Sequence, residues 1–264
     1  MKYVKYLSPV AAIVLAGCGR TAARPTDKAE IIRAAQRAYY NLPREGVSEF
    51  TCSVIPDWAA MLKQELKSDV RPDNPALNLL NGIHFWVTVT ETGKIRLSHQ
   101  VDTNPSPPQL DDFQKAISGT EEAIDGFWKS ATVFLLTTAF PSADSSYELS
   151  EQQGNYLLSY RQGSYDILTT FAKDYSITEI KVTSTTLTSS LKPKFTRIDG
   201  GFLLSGYEAD YEVNHAGALH VATEIQYQEI EGLRLPSDLI VRTAAGGTSH
   251  EVLHHLTDCQ VKRR

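Results

Sequence analysis

The chain has 264 residues, of which 42% are hydrophobic and 22% are charged, and its formal net charge is −5. This composition is typical of a globular protein, and the length fits one large domain or two small ones. The net negative charge excludes a global basic field of the kind that attracts nucleic acid, so no nucleic-acid partner is expected.

The first twenty residues have the pattern of an export signal. Lys2 and Lys5 precede an apolar stretch over residues 6–15, which is too short to span a bilayer. The stretch ends in the residues LAGC at 15–18, which resemble a bacterial lipobox. The resemblance implies a signal peptide over residues 1–17, lipidation of Cys18 and a lipidated linker over 18–26. The alternative is an ordinary secretory signal with a chance cysteine.

The same resemblance indicates where the protein is anchored. Gly19, directly after the cysteine, lacks the acidic character expected of an inner-membrane lipoprotein. The expected location is therefore the bacterial cell envelope, at the periplasmic face of the outer membrane, with the membrane as a partner through the lipid anchor.

The remaining cysteines, Cys52 and Cys259, form a natural pair in an oxidising compartment. Cys52 lies near the first predicted strand and Cys259 near the last. A disulfide between them would hold the two ends together and favours a single domain over residues 27–264. The alternative is two free buried thiols.

The first third of the chain alternates helix and strand signals. A helix is predicted from Asp27 to Leu42, where Pro43 stops it. A strand follows over residues 49–55, then a helix over 57–66. The alternation from Ile83 to Val101, with a turn at 91–94, predicts a hairpin.

The middle of the chain is helical. A helix over residues 110–117 is expected to end at Gly119, and a second begins at Thr120 and extends to Phe140. The second helix is apolar nearly all round in its C-terminal half, so it must be covered on more than one side. It is a core helix on a sheet or a helix sunk into a curved sheet.

From Tyr147 onwards the sequence consists of short strands and turns. The strongest turn signals lie at residues 162–164, 199–201 and 245–247, and they predict an antiparallel meander. The Thr- and Ser-rich run at 183–190 is interpreted as an exposed edge strand or loop. The basic residues at 262–264 are expected to be a solvated end.

Two stretches carry a resemblance to a known family. Residues 39–42 leading into 47–52, and residues 231–241 with their Leu-Pro step, resemble the LolA/LolB-type lipoprotein-carrier fold, which includes periplasmic sensors of the RseB kind. The resemblance implies an α+β fold in which an antiparallel half-barrel has helices packed in its concave face. The family's ligand-contacting arginine has no identifiable counterpart here.

That fold would enclose a hydrophobic cavity, and five residues are candidates to line it: Trp86, Phe127, Trp128, Phe134 and Leu135. The expected function is non-enzymatic, the binding or sensing of an acyl chain or a lipidated partner, with no cofactor. The alternative is a structural or interaction lipoprotein with a dry, packed core.

One motif favours a different function. His250, Glu251 and His254 match H-E-x-x-H, in which two histidines on one helix face hold zinc and the glutamate activates water. The preceding turn predicts a strand instead. On a strand His250, His254 and Asp258 would share one face, a candidate metal site, and Glu251 would point to the other. A zinc-dependent hydrolase is therefore a second alternative, and a solvent-facing polar stripe is the simplest interpretation.

Overall fold

The structure is a computed structural model that describes residues 27–213 and 217–264. The helices are α1 (Lys28–Arg37), α2 (Trp58–Leu66), α3 (Pro75–Leu80) and α4 (Leu110–Leu135), with a 3-10 helix at Pro107–Gln109. The strands are β1 (Val47–Pro56), β2 (Ile83–Thr90), β3 (Ile95–Val101), β4 (Glu148–Gln152), β5 (Asn155–Gln162), β6 (Tyr165–Phe171), β7 (Ile177–Thr183), β8 (Leu187–Ile198), β9 (Gly201–Val213), β10 (Gly217–Ile230), β11 (Leu233–Ala245) and β12 (Thr248–Arg263). The predicted signal peptide and linker, residues 1–26, lie outside the described residues.

The strands of the described residues form one antiparallel sheet. Its order is β3-β2-β1-β12-β11-β10-β9-β8-β7-β6-β5-β4. The sheet is not closed, because β3 and β4 are its two edges. Every neighbouring pair is consecutive in the chain except β1 and β12. The α+β class and the open antiparallel meander that the sequence predicts are therefore confirmed.

The junction between β1 and β12 contains a bulge. Thr51 pairs with Gln260 and Ser53 with Thr257, so β12 has one residue more than β1 in this interval. Asp258 takes a positive φ of 49°, a conformation that aspartate tolerates better than most residues. The bulge brings Cys259 opposite Cys52. These two residues lie at disulfide distance, with their Cα atoms 4.1 Å apart.

One face of the sheet, here called the buried face, carries the core. On β1 and β2 it presents alternate residues such as Phe50, Val54 and Val87. α4 contacts this face at several strands. The Trp128 ring lies 5.4 Å from that of Phe50 on β1.

At its C-terminal end, α4 contacts the other half of the sheet, since the Phe134 ring lies 5.5 Å from that of Phe195 on β8. Near its middle, the carboxylate of Glu121 lies 2.8 Å from Nδ1 of His99 on the edge strand β3. One helix therefore links distant strands of the sheet.

α2 covers a length of β12 that pairs with β11 on one side and has no strand on the other within the described residues. β1 ends at Pro56, opposite His254, so the backbone of residues 250–253 needs other partners on that side. The Asp57 backbone N–H donates to the Leu253 carbonyl at 2.9 Å. The Gln64 side chain donates to the Glu251 carbonyl at 2.8 Å and accepts from its N–H at 3.0 Å.

Two helices differ from their predicted bounds. α1 ends at Arg37 rather than Leu42, because residues 38–42 bond to other elements: the Tyr40 N–H donates to the Phe202 carbonyl and the Leu42 N–H to that of Leu135. α4 is one helix that runs through Gly119 and ends at Leu135, not Phe140. A helical glycine costs about 1 kcal/mol, which the burial of neighbours such as Ile117 and Ile124 offsets.

Two surface predictions are matched in part by the structure. Within the run at 183–190, residues 184–186 form the predicted loop, whereas the strand residues on either side belong to β7 and β8 in the interior of the sheet order and are not an edge. The basic residues at 262–264 are exposed, as predicted for a solvated end, although β12 extends to Arg263. Arg263 forms an ion pair with Glu231 at 3.5 Å, and Arg264 forms one with Glu91 at 2.5 Å.

The continuity of α4 predicts the effect of adding a methyl group at Gly119. A Cβ atom there would meet no atom within 4 Å, so Gly119→Ala should raise the free energy of unfolding by about 0.5–1 kcal/mol in urea denaturation. Gly201→Ala is the contrasting variant. Its φ is +111° and its Cβ would lie 2.4 Å from the Ala38 carbonyl oxygen, so we expect a loss of about 2 kcal/mol. A comparable loss for Gly119→Ala would contradict a continuous helix.

Candidate functional site

A cleft of about 780 Å³ opens on the buried face of the sheet. We call it the inner cleft. One wall is the C-terminal half of α4 with the segment 137–146 that follows it, and the floor is formed by β5 to β9. This volume lies within the range of small-ligand sites.

The floor residues occupy two adjacent rows across the strands, all on the buried face. One row runs through Ile180 and Leu191, which pair directly across β7 and β8. The next row comprises Tyr160, Ile167, Val182, Ser189 and Tyr211. The branched side chains of these rows form an apolar floor, and α4 faces it with Val133 and Phe134. Such a surface can bind an apolar chain.

Packed aromatic rings lie beside the cleft at one end. The Phe195 ring lies 5.2 Å from that of Tyr39 and 5.8 Å from that of Phe202, and the Phe140 ring lies 5.2 Å from that of Phe171. These spacings are typical of favourable aromatic pairs. They fix one end of the cleft.

Tyr39 is hydrogen-bonded at the centre of these rings. Its hydroxyl donates to the Tyr175 carbonyl at 2.7 Å and accepts from the Ile177 N–H at 2.8 Å. Burial raises the pKa of Tyr39 above its ordinary value, so the hydroxyl stays neutral. Its role is to hold the residues before β7 against the segment after α1.

Several polar groups of the inner cleft are already partnered. Tyr160 donates to the Ala139 carbonyl at 3.3 Å, and burial raises its pKa to about 12. Lys129 pairs with Asp125 at 2.5 Å and Arg161 with Asp166 at 3.4 Å. The described lining contains serines such as Ser130 and Ser142, but none of the described lining residues is a histidine, cysteine or carboxylate.

The structure separates the five residues predicted to line a cavity. Phe134 lines the inner cleft. Phe127, Trp128 and Leu135 are buried in the core but do not line it. Trp86 was predicted wrongly, because Phe85 and Val87 take the buried positions of β2 and place Trp86 on the opposite face.

The floor of the cleft was not predicted from the sequence. The alternation of Ile167, Ile180 and Val182 marked them as strand residues on one face. It did not show that this part of the sheet is left open beside α4. The alternation with a period of two residues indicated which side chains share a face of the sheet. Whether that face is open or covered depends on where α4 ends, which the alternation does not show.

The H-E-x-x-H residues do not form the site that the motif predicts. They lie on β12, where Glu251 is exposed and forms an ion pair with Arg242. His254 is buried on the other face. Asp258 is turned to the exposed face by the bulge, so it does not join His250 and His254 on one face. Within the described residues, no group of three metal-ligating side chains comes together.

The membrane predictions rest on residues that the structure does not describe. Cys18 and its lipobox lie in residues 1–26. Among the residues that are described, no helix is long and apolar enough to cross a bilayer.

Comparisons of this chain with models of protein families, with curated proteins and with solved structures found no significant match.

His254 makes the stability of the core depend on pH. Only 1% of its surface is exposed, and neither ring nitrogen has a partner among the described residues. Burial, with a smaller contribution from His255, lowers the pKa of His254 from 6.5 to about 4. In the unfolded chain the His254 ring therefore binds a proton near pH 6.5, whereas in the folded chain it does so only near pH 4.

We expect the free energy of unfolding to fall as the pH drops through this window, by up to about 3 kcal/mol from His254 alone. Urea denaturation at pH 7 and pH 4.5 measures the effect. His254→Met should flatten the pH dependence, whereas the control His220→Gln, at an exposed histidine, should not. An unchanged pH dependence in His254→Met would show that this ring is not buried in its neutral form.

Proposed function

We propose that this protein is an exported, lipid-anchored and non-enzymatic lipoprotein that binds an acyl chain, free or on a lipidated partner, in the inner cleft. The observation that carries the proposal is the apolar floor on β6 to β8, where Ile167, Ile180 and Leu191 face an open volume of about 780 Å³. Apolar side chains beside an accessible cavity provide the driving force for binding a hydrocarbon chain.

The contacts of α4 support a sheet that curves into a half-barrel with this helix on its concave side. Glu121 contacts β3 and Phe134 contacts β8. These strands are seven steps apart in the sheet order, roughly 34 Å along a flat sheet at about 4.8 Å per step. The thirteen residues between the two contacts span only about 20 Å of helix. A sheet bent toward α4 accounts for both contacts.

We include in this proposal that the chain has the fold of the LolA/LolB-type carriers, which its sequence resembles. The order of the elements supports this part of the proposal: a helix, a strand, a hairpin, a helix and a long meander in an open antiparallel sheet. In such a sheet the part not covered by helix is the natural ligand site. Here that part is the floor over β6 to β8.

The energetics are adequate for a reversible carrier or sensor. Each buried methylene contributes about 0.8 kcal/mol, so ten of them provide roughly 8 kcal/mol before the entropic cost of binding. The lining offers no unpaired charge that would hold a headgroup tightly. Affinity should therefore follow chain length rather than headgroup.

Export and anchoring are proposed on the lipobox at residues 15–18, with lipid on Cys18 and the outer membrane as its location. The pair Cys52 and Cys259 at disulfide distance supports an oxidising compartment. The zinc-hydrolase alternative has no comparable support, because the Glu251 carboxylate is engaged by Arg242 on the face opposite His254.

Native mass spectrometry of the full chain, purified in non-ionic detergent with added palmitate, tests ligand binding. We expect a fatty-acid adduct on the protein. Ile180→Trp should fill the cleft and reduce the adduct by about tenfold or more. The matched control is Ile240→Trp, a half-buried isoleucine on the opposite face of the sheet, which should retain it.

An adduct that is absent, or equal in Ile180→Trp and in the wild-type protein, would contradict the proposal. The first result would leave the lipoprotein with a dry core, which docks partners by its surface.

A further inference from the structure

A second, smaller pocket lies where β2, β1 and β12 run side by side, and its lining combines exposed-face residues such as Trp86 with buried residues such as Val54 and Trp58. Its volume is about 350 Å³. We call it the outer pocket. The side chains on which the argument rests are Trp86 and His84 of β2, Ser53 and Ile55 of β1, and Asp258 of β12. It shares no lining residue with the inner cleft.

Trp86 is the unusual residue of the outer pocket. It lies directly opposite Ser53, on the face of the sheet that is turned away from the core, and it is half-buried there. The neighbouring Ile55 is 52% exposed. Tryptophan is costly to leave in contact with water, and partly exposed tryptophans are enriched where proteins bind ligands and partners.

Asp258 supplies a negative charge to the outer pocket. The bulge turns this residue outward, and its φ of 49° is uncommon for a residue other than glycine. Its carboxylate accepts one hydrogen bond, from the Thr257 hydroxyl at 3.2 Å. Within the described part of the chain, no lysine, arginine or histidine forms an ion pair with it.

The second carboxylate near the pocket is already engaged. An Asp102 carboxylate oxygen lies 3.1 Å from Nε2 of His84, and the other accepts from the Gln100 side chain at 2.8 Å. Asp258 is therefore the group with free acceptor capacity. A half-buried indole and an unpaired carboxylate in one pocket are the two elements that bind ammonium and guanidinium groups, through cation–π attraction and a charge-assisted hydrogen bond.

We propose that the outer pocket binds an organic cation, a primary ammonium or a guanidinium group the size of a lysine or arginine side chain, between Trp86 and Asp258. Ser53 adds a hydroxyl, and Ile55 contacts the apolar stem of the ligand. The volume suits a group of this size and is too small for a folded domain to enter. This site does not depend on lipid binding in the inner cleft.

NMR of the full chain in non-ionic detergent, with ¹⁵N-labelled tryptophan, tests the site. The chain has three tryptophans, and Trp86→Phe identifies the indole signal of interest. We expect argininamide and lysinamide to shift the Trp86 signal saturably, and norleucinamide, which lacks the side-chain cation, to bind at least about tenfold more weakly.

Asp258→Asn removes the charge and keeps a residue that tolerates the positive φ, so the bulge should persist. We expect it to weaken argininamide binding by about tenfold or more. Asp210→Asn, a carboxylate elsewhere in the sheet that pairs with His220, is the matched control and should bind as the wild-type protein does.

A short peptide with an internal arginine separates two sources of the cation. Binding at least as tight as that of argininamide assigns the site to a polypeptide partner, and binding of the free amine alone assigns it to a small molecule; both support the proposal. Absence of a saturable shift, an equal response to norleucinamide, or undiminished binding in Asp258→Asn would overturn it.

Discussion

The pairing of the first strand with the last holds this fold together. All other neighbouring strands are consecutive in the chain, so without the β1–β12 pair the sheet would separate into a three-stranded and a nine-stranded piece. The pairing joins residues about 200 positions apart, and closing so long a loop costs conformational entropy. A covalent link between Cys52 and Cys259 removes much of that cost from folding, on the order of 5 kcal/mol in the chain-entropy account.

The bulge at Asp258 gives this junction its particular geometry. Before it, the buried face of β12 carries His254 and Leu256, and after it the half-buried Cys259 and Val261. One extra residue thus shifts the strand by one position. It brings Cys259 beside Cys52 and turns Asp258 outward toward Trp86. The same local irregularity places the covalent link on one face and the outer pocket on the other.

The sequence predicted the strands and turns well because their signals are local. The turns at 91–94 and 245–247 lie where alternation and glycine placed them. Longer-range features were not predictable in the same way. Gly119 marked a helix end by propensity, but burial on both sides of it outweighed that preference. Trp86 was predicted to line a cavity because of its size. The alternation of side chains along β2 instead places it on the face of the sheet opposite the core. Asp258 was grouped with His254 because a bulge leaves no reliable sign in a single sequence.

Peptide mapping of the protein under non-reducing conditions tests the central junction most directly. The account predicts one cross-linked species that joins the peptide containing Cys52 to the peptide containing Cys259, and its disappearance on reduction. Recovery of both peptides with free, alkylated thiols, from protein isolated from an oxidising compartment, would contradict the β1–β12 register on which the sheet and its two pockets depend.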